Sequence, residues 1–226
     1  MSLTVLINAY WESRFKNLTI IVDSLNLGSF KPSEIIIFNN SGLKINGLDG
    51  CTQIVSDLNF GYRASYTSAL LTQSDYYLSI DDDFAVEKNT IENLLNQSQL
   101  IDTGAVFGLW GKNIKDNYRE GENIYARDVT KATTTNLLVG RGMILFDREA
   151  LINMIGLEQK LLSDGARWDY SREQDIIISM ANHSYVIPAG KDQQTINLGE
   201  HGVGYNRQDG HYKIRDSLVK TIRELI

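Results

Sequence analysis

The sequence predicts an α/β fold: a mainly parallel central sheet flanked by helices, in one domain over residues 1–226. Three observations predict it. Short apolar runs of strand length alternate with stretches of helical spacing through the first 100 residues, the pattern of right-handed crossovers between parallel strands. The length of 226 residues suits one large domain with a buried core. Only two prolines occur, with no repeat, low-complexity tract or linker to divide the chain.

In order, "LTVLINAY" (3–10) is a compact apolar run and a first strand. In "SRFKNLTIIVDSLNLG" (13–28), Phe15, Leu18, Ile21, Val22 and Leu25 follow helical spacing, and Gly28 ends the helix. "SEIIIFNNSG" (33–42) is a second strand running into a polar turn, and "CTQIVSD" (51–57) a third. "GYRASYTSALLTQ" (61–73) reads as a helix, "YYLSI" (76–80) as a strand, and "VEKNTIENLLNQSQLI" (86–101) as a helix. Further on, 104–111 and 136–146 are strand-like, with a polar loop or irregular hairpin over 112–135 between them. A short helix over 147–156 has Asp147 as its N-cap. Ser171 and Gln174 form a capping box that starts a helix over 171–183, and 215–226 is a last amphipathic helix.

Composition narrows the function. Hydrophobic residues at 42% and charged residues at 22% are globular values, which excludes a disordered chain. A net charge of −6 argues against nonspecific nucleic-acid binding. The single cysteine, Cys51, leaves no internal disulfide framework. No signal-peptide pattern opens the sequence, and no stretch reaches the roughly 18 apolar residues of a membrane span. The expectation is a soluble, cytoplasmic protein. The sequons at Asn17, Asn96 and Asn182 carry little weight in that setting.

The chemistry centres on "YYLSIDDDF" (76–84), an apolar strand that ends in Asp81, Asp82 and Asp83. Carboxylates about 6 Å apart repel by roughly 2–3 kcal/mol at an effective dielectric near 20. A divalent cation relieves that repulsion, and hard carboxylate oxygens suit magnesium, manganese or calcium. Strand alternation sets Asp81 and Asp83 on one side as the metal pair, and Asp82 on the other. The plainer alternative is an acidic surface turn. The preceding apolar run places the triplet instead at the carboxyl end of a parallel strand, where such sheets bind ligands. Asn39 and Asn40 fall at a similar end.

The order of these features resembles a family. "NAYWESR", "IIFNNSG", "NFGYRASYTSAL", the strand ending "DDD", "LLVGRGMILFDREAL", "EQDIIISMANH" and "GYNRQDGHYKIR" follow one another as in nucleotide-sugar-dependent glycosyltransferases of the GT-A fold. The similarity spans about residues 3–218, with the exostosin-like group matching best and the family-two transferases second. The resemblance implies that Asp83 and Asp81 of the Asp-x-Asp motif hold manganese or magnesium, with Asp81 and Asp82 also contacting the donor. It implies that Ala9, Tyr10 and Asn39 hold the nucleotide base, and that Asn59 and Arg63 lie by the donor phosphates. It assigns Arg207 to the diphosphate within a lid-like "GVGYNRQDG" segment, with His201 or His211 as a possible third metal ligand. Asp175 is the implied catalytic carboxylate, with Glu173 in support, although acids near a helix N-terminus are favoured by its dipole without any catalytic role. Trp168 is a candidate platform for an acceptor sugar, though core packing explains most tryptophans. The implied reaction moves a hexose or N-acetylhexosamine from a nucleotide diphosphate sugar, a UDP sugar foremost, to a hydroxyl of a glycan or glycoprotein, with retention somewhat favoured.

Other readings stay open. A sugar-phosphate nucleotidyltransferase also ends strands in acids, but its Gly-rich basic loop after the first strand has no counterpart in "NAYWESR". A haloacid-dehalogenase-like phosphatase needs Thr or Val where Ala85 stands. The last alternative is a non-catalytic sugar- or nucleotide-binding module on a degenerate transferase fold.

Overall fold

The computed structural model describes residues 1–101, 103–139, 143–163, 165, 173–199 and 210–226. Strand β1 (Leu3–Ala9) has all seven residues buried. A run that is apolar almost throughout suits such a strand, because both of its faces are covered. It lies between β2 (Glu34–Asn39) and β4 (Tyr76–Asp81), parallel to each, and β3 (Thr52–Val55) extends the parallel set beyond β2. Antiparallel β11 (Met143–Phe146) follows β4; then come β6 (Val106–Gly108), β12 (Ser184–Val186) and β9 (Thr133–Thr135), which complete an eight-stranded sheet.

The register positions the site. Ala9 is paired with Asn39, Asn39 with Val55, and Asn8 with Asp81. The carboxyl ends of four parallel strands therefore finish nearly level along one edge. Helix α1 (Phe15–Leu27) connects β1 to β2 and buries Leu18, Ile21, Val22 and Leu25 as their spacing requires. Helix α2 (Tyr62–Ser68) packs on β1 and β2. Its N-cap, Gly61, has φ 67° and ψ −162°, a conformation essentially confined to glycine. Helices α4 (Arg148–Ser163), α5 (Gln174–Ala181) and α6 (His211–Leu225) pack on one another. Tyr66 and Tyr77 both stack on Phe146, at 5.3 and 5.7 Å between ring centroids, tying α2 to the sheet through the core.

Several boundaries differ from expectation, each for a tertiary reason. The helix expected from residue 86 begins later, as α3 (Thr90–Ser98), because Phe84–Val86 forms β5 and pairs with β13 (Thr195–Asn197). The expected strand 104–111 changes sheets at Leu109. Beyond it, β7 (Trp110–Asn113) joins β8 (Glu122–Tyr125) in a hairpin, with β10 (Leu137–Leu138) on its other side. Of the stretch expected as a loop or irregular hairpin, residues up to Tyr125 form this hairpin, while the rest holds a 3-10 turn (Ala126–Asp128) and β9. The short helix expected over 147–156 runs on to Ser163 as α4. Asp147 does cap it, Oδ1 accepting from Ala150 N at 2.8 Å. Helix α6 starts at His211, four residues before its expected start at Arg215.

Helix α5 starts at Gln174, so Glu173 is its N-cap residue and not part of the first turn; Ser171 lies outside the described residues. The Glu173 carbonyl accepts from Ile176 N and Ile177 N, while its side chain makes no cap hydrogen bond. That carboxylate is drawn instead to Arg215 on α6, a partner that local sequence does not reveal.

Candidate active site

Two groups of carboxylates define the site. The first ends β4. The strand stops at Asp81, so alternation no longer governs the next two residues, and the expected split of Asp81 and Asp83 from Asp82 is not what forms. Asp82 and Asp83 turn together onto Arg14: Nη1 donates to Asp82 Oδ1 at 2.5 Å, and Nη2 lies 3.3 Å from Asp83 Oδ2. All three of these side chains are buried, whereas Asp81 is half-buried at the edge. Asn17 Nδ2 donates to the Asp82 carbonyl at 3.1 Å and fixes the turn to α1.

Electrostatics follow from this packing. Burial pushes the Asp82 carboxyl up to about 6, against the pull of Arg14 and with help from Asp83. Burial works against the charge on Arg14, but Asp82 and Asp83 more than offset it and hold the guanidinium above its ordinary value. The Tyr62 phenol, at the start of α2, is pushed well up by burial and by all three aspartates. It is therefore a hydrogen-bond donor at neutral pH.

Do these residues fit a divalent cation? One guanidinium against three carboxylates leaves the turn net anionic, and its donors are hard oxygens. Among the described residues, no three His, Cys, Asp or Glu side chains converge as a metal cage. A magnesium or manganese ion here would rest on one or two carboxylates, half-buried Asp81 foremost and Asp83, which Arg14 also holds, second, and on phosphate oxygens of a ligand, as magnesium usually does. The hard oxygens of this turn suit such a shared site.

The second group starts α5. Arg215 Nε lies 2.6 Å from Glu173 Oε2, and Nη2 donates to Asp175 Oδ1 and Oδ2 at 2.9 and 2.8 Å. Its Nη1 donates to Tyr118 Oη at 2.7 Å. His211 Nδ1 stands 3.9 Å from Glu173 Oε1; burial and the nearby Arg215 lower its proton affinity. Tyr66 links the two groups. Its buried phenol bonds Ser79 on β4 and is pushed far up by burial, with the charges of both Asp175 and Asp81 acting on it.

The other expected site residues fall as follows. Ala9 ends β1, fully buried, and its carbonyl accepts from Asn40 N at 2.8 Å. Tyr10 follows at the edge, half-buried and edge-on to exposed Trp11 at 4.8 Å. Asn39 shares the edge but is fully buried. Its Nδ2 donates to Leu43 O at 2.5 Å and its Oδ1 accepts from Ser41, so its side chain shapes the turn. Asn59 is exposed, its Oδ1 accepting from Gly61 N at 2.9 Å at the entry to α2. Arg63 Nε donates to Glu158 Oε1 at 2.7 Å, and Gln174 Nε2 donates to the same oxygen at 2.9 Å. Arg63 is thereby tied to the start of α5. Trp168, His201 and Arg207 lie outside the described residues.

Sequence reasoning missed Arg14, Tyr62, Tyr66, Tyr118, Glu158 and Arg215. Three of these had a readable signal. Arg14 precedes Leu18 by four residues, Glu158 follows Met154 by four, and Arg215 precedes Val219 by four. Each is a charge in phase with an apolar helical stripe, a position that forces burial and hence a partner.

No protein-family model matches the sequence, and no curated protein matches it. Solved structures do. The crystal structure of residues 1–349 of S. aureus TarS, a glycosyltransferase, superposes with a TM-score of 0.53 at 12% identity. The match covers 84% of this chain, which spans only 59% of that structure's length. In all, 365 solved chains match, and so widely shared a fold does not by itself name a substrate. The likeness establishes the architecture: a mixed α/β fold with a large, mainly parallel central sheet flanked by helices, shared with a glycosyltransferase.

Proposed function

We propose that this chain is a GT-A-type glycosyltransferase that moves a hexose or N-acetylhexosamine from a nucleotide diphosphate sugar, a UDP sugar foremost, to a hydroxyl of a glycan or glycoprotein. One observation carries the reading. The acidic turn lies at the level carboxyl edge of the parallel strands. Such an edge is where open α/β sheets bind ligands, and the fold shared with a glycosyltransferase supports the same reaction class.

In this reading Asp81 and Asp83 hold manganese or magnesium, which supplies Lewis-acid withdrawal of charge from the diphosphate leaving group. Ala9, Tyr10 and the turn shaped by Asn39 receive the base. Asp82, fixed by Arg14, and Asn59 with Arg63 border the donor, while Arg207 meets the diphosphate. Trp168 offers a face to the acceptor sugar. The acceptor oxygen bonds to the anomeric carbon and gives up its proton as the bond to the diphosphate breaks; the nucleoside diphosphate departs with the electron pair and, in the retaining course, takes that proton on a phosphate oxygen. Retention of configuration, which the resemblance favours, gives Asp175 the task of steadying the oxocarbenium-like centre and orienting the acceptor, with Glu173 beside it. Inversion would make Asp175 the base that takes the acceptor proton.

Calorimetry with UDP-, GDP- and dTDP-sugars, each with and without manganese, tests the reading. Manganese-dependent binding of one nucleotide class is expected, together with slow sugar hydrolysis that disappears in a folded Asp83→Ala variant. No binding of any nucleotide sugar overturns it, and binding without turnover under all acceptors leaves only a binding module.

A further inference from the structure

We infer that Arg215 is the positioning residue of the carboxylate pair on α5, fixing Asp175 and Glu173 in the orientation that glycosyl transfer uses. This rests on the proposed function. The geometry is specific to a guanidinium. Nε reaches Glu173, Nη2 reaches both oxygens of Asp175, and Nη1 reaches the Tyr118 hydroxyl. All three nitrogens are committed, to partners on two different elements. A lysine ammonium carries its three donors on one nitrogen, whereas the guanidinium presents its donors on three nitrogens in a fixed plane that spans these partners.

The surroundings say why this matters to the site and not only to the fold. Glu173 makes no side-chain cap hydrogen bond to α5, and its carboxylate lies 2.6 Å from Arg215 Nε. Asp175 Oδ1 does accept from its neighbour Ile176 N at 3.0 Å, but that bond leaves Oδ2 to Arg215. Helix α6 needs no buried charge to dock, since Leu218, Val219 and Ile222 already bury its face. Bringing a guanidinium and two carboxylates out of water is costly, and apolar residues of like volume usually pack at least as well. What the costly arrangement supplies is fixed direction for two carboxylates at the start of α5, which Glu158 ties to Arg63 on α2 through Gln174. Tyr118 completes the hold. Its amide donates to Asp216 Oδ1 at 2.5 Å and its ring centroid lies 4.7 Å from the Arg215 guanidinium carbon, so the segment after β7 also holds Arg215.

The test compares wild type, Arg215→Lys and Arg215→Ala in sugar transfer or nucleotide-sugar hydrolysis with manganese, alongside thermal melts and calorimetric donor affinity. The expected result is a fall in kcat of about a hundredfold in Arg215→Ala, the usual scale for a misplaced reacting group. Donor affinity should stay within about threefold, because the donor's own contacts are intact. Added guanidinium should restore at least about tenfold of the lost rate in Arg215→Ala by refilling the cradle. Should Arg215→Ala not fold, Arg215→Lys carries the same comparison, with a smaller fall in kcat at unchanged donor affinity. Folded variants with wild-type kcat overturn the inference alone, as does a loss confined to donor affinity. A wild type with no turnover on any nucleotide sugar overturns both this inference and the proposed function.

Discussion

Arg14 and Asp82 form a buried pair at the acidic turn: the guanidinium leaves the start of α1 and closes on the turn after β4 at 2.5 Å, with Asp83 on its other nitrogen at 3.3 Å. Removing one partner of such a group leaves uncompensated buried charge, typically a loss of about 3–5 kcal/mol. Arg14→Met should therefore destabilise the protein by about that amount in urea unfolding at pH 7.5. An Arg14→Met variant as stable as wild type would mean that water, not Arg14, solvates the two aspartates.

Asp81 and Asp83 should separate function from stability. Asp81 is half-buried at the strand end, while Asp83 is buried against Arg14. Asp81→Asn is expected to keep its melting temperature within a few degrees and to lose manganese-dependent nucleotide-sugar binding. Asp83→Asn should lose that binding too, but also about 1–3 kcal/mol of stability, because Arg14 is left less well matched. Parallel calorimetry and denaturant melts check both. Equal nucleotide-sugar binding by Asp81→Asn and wild type would remove Asp81 from the donor site.

How far the sequence reaches is visible in these same residues. The strands β1, β2 and β4 and helix α1 were legible because their apolar runs are long and their spacing is clean, and the acidic turn followed from where β4 ends. The short strand β5 was not legible. Three residues carry no period, and its pairing with Thr195–Asn197 is a tertiary fact. Asp175 and Glu173 could be named, but not what they touch. A salt bridge to Arg215, 40 residues on from Asp175, leaves no local trace beyond a charge set in an apolar stripe. Asn39 shows the converse limit. Its position at a strand end was read correctly, but its amide is consumed by its own turn.

His211 gives a pH signature of known sign. Burial beside Arg215 holds its imidazole below its ordinary value, so the unfolded chain binds the proton more readily than the folded one. Stability from this group is full above the ordinary histidine value near 6.5 and is lost as pH falls toward the lower folded value. Wild type should therefore lose more stability than His211→Asn between pH 7.5 and pH 5.5. Asp82 contributes with the opposite sign in the acid range, since its folded carboxyl is raised to about 6. Because Asp82 is common to both proteins, the difference between their urea midpoints isolates His211. Matching pH slopes would show that this histidine is not depressed.

Two glycines should respond oppositely to the same substitution. A Cβ at Gly111 on β7 would sit 2.6 Å from Val186 Cγ2 and 2.7 Å from Thr135 Oγ1, with both neighbours anchored in the main sheet. Overpacking of that kind costs about 1–3 kcal/mol. Gly156 lies inside α4, and a Cβ there meets nothing within 4 Å. Alanine gains about 0.5–1 kcal/mol over glycine in a helix interior, because the unfolded chain has fewer conformations to lose. Gly111→Ala should thus lower the melting temperature and Gly156→Ala should raise it. If Gly111→Ala is neutral, the small hairpin sheet must be able to shift away from β12 and β9, and the brace that Tyr118 gives Arg215 would be correspondingly loose.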